Sequence, residues 1–267
     1  MIYIHFLSAH RSAPPSPPFS GPRIFRLEGP AHELKTQKDI AYPVTIAQTN
    51  VDALLQTNRL IRSEVLELAD MRNKSTSSLP ADLDIMATGY VLYPLWTRLP
   101  LLASQNTPLN LTVRLRIFSP EAFRAQDGPP RRPCIASHGL LTLLNQFITC
   151  GPAFTRSGKP SDSPTVIDTL TIRLVNYDIY TPRMFPPAVH EMVRMCKALS
   201  LRADVRPSLR RICVVEEDAE RRALGAVERE WGYDVVSSCD EEELVETTEI
   251  WAEMGFALEA DAARFGV

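Results

Sequence analysis

LNLTVRLRIF, residues 109–118, decides the fold. Leu111, Val113, Leu115 and Ile117 fall on one side of an extended chain and Thr112, Arg114 and Arg116 on the other, the alternation of a half-buried strand. A second copy, LTIRLVNY at 170–177, repeats LTVRL of 111–115 as LTIRL of 170–174, so Arg114 and Arg173 hold equivalent outward positions. A looser third strand is LRRICVV, 209–215. Helical spacing fills the gaps. Leu140, Leu141, Leu144, Phe147 and Ile148 predict a helix over about 136–149, and Val189, Met192, Val193 and Leu199 another over about 187–203. Upstream, DLDIMATGYVLY at 82–93 reads as extended, with Pro94 expected to end it before LWTRLP.

Strand, helix, strand, helix, strand is the order that right-handed crossovers produce. It predicts an α/β or α+β fold with a mixed, partly parallel sheet and connecting helices. The outward Thr and Arg residues imply a sheet face that helices do not fully cover. An irregular leucine-rich-repeat-like arrangement satisfies both statements, and so does a compact α/β layer; the strand separations of 59 and 39 residues are unequal, and the asparagine ladder of such repeats is missing. Two more helices are expected near the end, over about 217–231 and 240–256, the second with Leu244, Thr247, Ile250, Trp251 and Met254 on one face behind an acidic DEEE start.

Before the strands, NVDALLQTNRLIRSEVLELADM (50–71) carries a capping pattern, Thr49 to Asp52, and predicts a helix over about 51–71. Val51, Leu54, Leu55, Ile61, Val65 and Leu68 form its apolar stripe, and Asn58 falls inside that stripe. A buried amide needs partners, so Asn58 is expected to tie the helix to a neighbouring backbone. Arg59 and Arg62 lie on a different side from Glu64 and Glu67, at spacings that give no intrahelical ion pair, so their partners are expected elsewhere in the fold.

Asn58, Arg59, Arg62 and Glu64 also carry a resemblance. LLQTNRLIRSEVLEL is similar to an LLxxNRxIRxE segment of a large group of fungal proteins described as F-box-like or F-box domain-containing. In that group comparable stretches follow for ADLDIMATGYVLYPLWTRLP, LNLTVRLRIF and LLTLLNQFITCGP, so the resemblance spans roughly 50–215. It implies a non-enzymatic protein-interaction module, a substrate-recognition or scaffold protein with a Skp1-like adaptor as partner, and it brings no catalytic residues. The Leu-Pro-x-Glu-Leu helix that opens an F-box has no clear counterpart, since FRLEGPAHELKTQKDIAYPVTI offers only HEL.

Composition bounds the rest. A chain of 267 residues, 45% apolar with a net charge of −3, suffices for one large domain or two small ones. No stretch approaches the roughly 18 apolar residues of a membrane span. Five scattered cysteines, without a CxxC pair or a zinc-like Cys/His cluster, fit reduced thiols in cytoplasm or nucleus. Residues 1–215 hold 25 Lys and Arg against 16 Asp and Glu, a balance of +9, whereas 216–267 hold 4 against 16, a balance of −12. Pro, Ser and Gly dominate 8–31. The expected organisation is a flexible arm (1–38), an α/β domain (39–215) and an acidic helical extension packed on it (216–267).

For catalysis the nominees are Asp82 and Asp84, which share one strand face and would serve a hydrolase or transferase of unrecognised type. A lone DxD is more often an ordinary strand edge. Ser137-His138-Gly139 is no nucleophile elbow, His190 and Cys196 have no nucleophile–base spacing, and phosphate-binding glycine loops are absent. No cofactor or metal site is expected. Arg114, Arg116 and Arg173, joined by Arg210 and Arg211, are the expected partner-binding face; an isoelectric point near 6.0 and the lack of an aromatic RNA-binding strand favour a protein partner over nucleic acid.

Overall fold

The computed structural model describes residues 12–15, 23–25, 40–43, 59–75, 78–89, 91–99, 107–119, 135–150, 165–177, 185–201, 205–218 and 229–235. Within them run β1 (Arg23–Phe25), β2 (Ala41–Pro43), α1 (Arg59–Ser75), β3 (Leu79–Thr88), β4 (Val91–Arg98), β5 (Leu109–Ile117), α2 (Ile135–Cys150), β6 (Ile167–Asn176), α3 (Phe185–Ser200), β7 (Leu209–Asp218) and β8 (Arg229–Asp234). Six strands form one sheet in the order β4-β3-β5-β6-β7-β8. The inner four run parallel, and β4 and β8 close the edges antiparallel. The expected α/β class with a mixed, partly parallel sheet and connecting helices is thus what the chain adopts.

The sequence repeat is the pairing register. Leu111 to Leu115 lie residue for residue against Leu170 to Leu174. Ala81, Leu83 and Ile85 on one side and Ile212 and Val214 on the other extend the same rows. These rows merge with Leu140, Leu141, Leu144 and Phe147 of α2 and with Val189, Met192, Cys196 and Leu199 of α3 in a single core. Each fully buried Leu, Val or Ile stabilises the fold by about 1.5–3 kcal/mol relative to exposure, so the core outweighs any single polar contact described below. Both crossover helices therefore lie on one face of the sheet, and the strand order advances β5-β6-β7 without reversing. Among the described residues the parallel strands therefore show no reversal point of the kind that forms a ligand crevice in doubly wound sheets.

Two glycines set local geometry. Gly89, with φ of +55°, makes the tight turn from β3 to β4, and its N–H donates to Ser119 Oγ at 2.6 Å. A Cβ at Gly139 would stand 2.4 Å from Leu92 Cδ1, so the missing side chain lets α2 approach β4. Two turns further along α2, Phe147 meets Trp96 of β4 at a ring-centroid distance of 5.1 Å.

Several expectations need correction. Pro94 does not end a strand; it sits inside β4 opposite Ile85, tolerable because β4 is an edge strand with one side of its ladder open to omission. The helix expected over 217–231 is not formed at either end: β7 continues to Asp218 and 229–231 belong to β8. Glu-rich sequence has helical preference, but β6 offers a parallel ladder that carries Glu216, Glu217 and Asp218 as strand. Inside the stretch read as a flexible arm, Arg23–Phe25 pairs with Ala41–Pro43. α1 reaches Ser75 and buries Val65, while Leu60 and Met71 are exposed. Asn58 and the helix expected over 240–256 lie outside the described residues.

Candidate recognition face

The side of the sheet turned away from α2 and α3 is built by the other half of the strand alternation. Asp84, Arg114, Arg173 and Val215 form one row across β3, β5, β6 and β7, and Met86, Arg116, Val175 and Glu217 form the next. A residue on one strand meets the neighbour two positions on, and the two hydrogen-bonded ion pairs of these rows use that diagonal. Arg116 donates Nε to Asp84 Oδ1 at 2.9 Å and Nη2 to Asp84 Oδ2 at 2.5 Å. Arg173 Nη1 donates to Glu217 Oε1, and Arg114 Nη2 lies 4.0 Å from Glu217 Oε2.

Burial separates these groups. Asp84 and Arg116 are 2% and 3% exposed, whereas the Arg114 and Arg173 side chains each keep 34%. Arg116 is therefore not part of an open face as expected; it is the buried half of a fork-to-carboxylate pair. Moving either charge out of water costs several kcal/mol, and a bidentate geometry is what offsets it. Burial pushes the Asp84 carboxyl above its ordinary value, against the hydrogen bonds and charge of Arg116, which pull it down.

Two aromatic residues complete the patch. Phe118 and Tyr177 stack with centroids 5.1 Å apart and planes at 17°. The Arg116 guanidinium carbon lies 5.5 Å from the Phe118 centroid and 5.7 Å from that of Tyr177, within cation–π range. Backbone bonds Phe118 N–H to Ala87 O and Tyr177 N–H to Ile117 O, both 2.8 Å, hold the two residues just past the strand ends. Tyr177 remains 38% exposed, and Arg114 Nη2 donates to its hydroxyl at 3.5 Å.

The equivalent outward positions of Arg114 and Arg173 become side-by-side positions in the β5–β6 register, whereas Phe118, Tyr177 and Glu217 were not anticipated. A signal existed for the first two, since the repeat extends to an aromatic in its eighth position, LTVRLRIF against LTIRLVNY. Glu217 was hidden by the helical reading of the acidic run. The other nominees lie apart. Asp82 sits near Arg98 at 3.9 Å, and its carbonyl accepts from Thr97 Oγ1 at 3.2 Å. Arg210 pairs with Asp168 at 3.1 Å and Arg211 with Asp234 at 3.9 Å, both at the start of β7, so neither joins Arg114 and Arg173. Arg59, Arg62 and Glu64 are exposed on α1. His190 is exposed on α3 while Cys196 is buried, its thiol pushed up to about 12 by desolvation. No helix among the described residues is long and apolar enough to cross a membrane.

Comparison with known proteins returned no matching family model, no matching curated protein and no matching solved structure.

Proposed function

We propose that the chain is a non-enzymatic protein-interaction module, an F-box-like substrate-recognition or scaffold protein whose recognition surface is the arginine-bearing sheet face. The observation that carries this reading is the register of β5 and β6, which sets Arg114 and Arg173 side by side, each a third exposed, on a sheet face turned away from both crossover helices. Asp84, half of the only carboxylate pair nominated for acid–base work, is committed to Arg116 and buried, which favours the binding reading over a hydrolase or transferase. The LLxxNRxIRxE resemblance supplies the F-box-like part, with a Skp1-like adaptor as the partner.

The test is affinity capture of the tagged full chain from cells of its source, with mass spectrometry of what co-purifies. A Skp1-like adaptor together with a cullin is expected. Capture of protein partners without that pair removes the ubiquitin-ligase version and leaves the scaffold; capture of neither overturns the interaction reading.

A further inference from the structure

Resting on the reading of this sheet face as a recognition surface, we propose that Arg114 anchors an acidic peptide segment of a protein partner, one Asp or Glu carboxylate of which docks between the Arg114 guanidinium and the Tyr177 hydroxyl. Among the described residues, Arg114, Arg116 and Arg173 lie around two carboxylates, Asp84 and Glu217, while Asp82 on the same strand face pairs with Arg98. Asp84 is taken up by Arg116 through bonds of 2.9, 3.2 and 2.5 Å. Glu217 bonds Arg173 directly and reaches Arg114 only at 4.0 Å. Among these groups Arg114 is the guanidinium with no carboxylate within hydrogen-bond distance.

Arg114 is also held ready. Its contacts to Tyr177 at 3.5 Å and Glu217 at 4.0 Å are both at or beyond the outer limit of a hydrogen bond. A guanidinium offers five donors in a planar fork, so an incoming carboxylate is taken without displacing either neighbour. The Tyr177 hydroxyl accepts from Arg114 and donates to the same carboxylate. Its position is fixed by the stack on Phe118 above the buried Arg116, which lowers the ordering cost of binding. Asp84 and Glu217 flank the adjacent Arg114 and Arg173, so the face suits one carboxylate at a time better than a run of phosphates.

The probe is a fluorescein-labelled peptide of alternating Glu and Gly, titrated with the intact protein at about 50 mM NaCl, where exposed charges are weakly screened. Saturable anisotropy is expected. Arg114→Ala weakens binding about tenfold or more, Arg114→Lys falls between because it loses the fork, and Tyr177→Phe weakens it several-fold. Arg210→Ala removes the same unit charge from outside the face and leaves affinity within about twofold. Equal binding by wild type and Arg114→Ala, or an equal loss in Arg210→Ala, overturns the proposal. Thermal melting of each variant separates a folding defect, and Arg114→Gln, which keeps the stem, replaces the alanine variant if that one melts early. In the capture experiment Arg114→Ala retains a Skp1-like adaptor and drops acid-rich partners, so loss of the adaptor and loss of the peptide site are read separately.

Discussion

Arg116 and Asp84 are coupled charges, and neither is tolerable alone. Removing one leaves the other buried without its counter-charge, so Arg116→Ala is expected to destabilise the fold by about 3–5 kcal/mol, read as a shifted urea midpoint. The joint replacement Asp84→Leu with Arg116→Met is expected to recover most of that loss, because no ion then needs solvation. A double variant as unstable as the single one counts against the pair as the cause. At Cys196, a buried thiol held near 12 should resist iodoacetamide at about pH 8, and peptide mapping after labelling checks it. The alternation at 111–117 told which side Arg114 and Arg116 take. It did not distinguish the exposed one from the buried one, because that depends on Asp84 and two aromatic rings supplied by other strands.

At the scale of elements, β5, α2, β6 and α3 were legible because apolar periodicity is strong and each segment is long. The failures share one cause, a neighbour overruling local preference. Pro94 reads as a stop only until β3 is known to pair on one side, and Glu216 to Asp218 read as helix only until β6 offers a ladder. The packing of α2 on β4 gives a test of this scale. Alanine is about 1 kcal/mol better than glycine inside a helix, yet at position 139 its Cβ would lie 2.4 Å from a Leu92 side chain that is fully buried. Overpacking of this kind costs about 1–3 kcal/mol, so Gly139→Ala should be destabilising on balance. A second change, Leu92→Ala, should cost less in the Gly139→Ala background than in wild type. Additive effects in that double-mutant cycle, measured by urea unfolding, would mean the helix shifts freely instead of pressing on β4.

Across the whole molecule, one-sided winding makes stability graded from the middle of the sheet outward. β5 and β6 are paired on both sides and carry the rows that pack on α2 and α3. At one edge, β4 is partly covered through the bridge of Ile40 to Leu92. At the other, no strand lies beyond β8 among the described residues, and Arg229, Glu230 and Asp234 stand exposed along it, the charged edge that discourages pairing with other chains. Local opening follows the number of buried apolar contacts and protected ladders. Amide hydrogen exchange followed by mass spectrometry should therefore show peptides of β5 and β6 slowest, β4 intermediate and β8 first to exchange. Uniform protection from β4 to β8 would instead mean that the sheet opens only as one unit, with the edges held by contacts as strong as those of the centre. The ordering also bears on recognition: Arg114 and Arg173 sit on the two strands expected to be most rigid, so a partner meets a preformed surface and not one that must be ordered on binding.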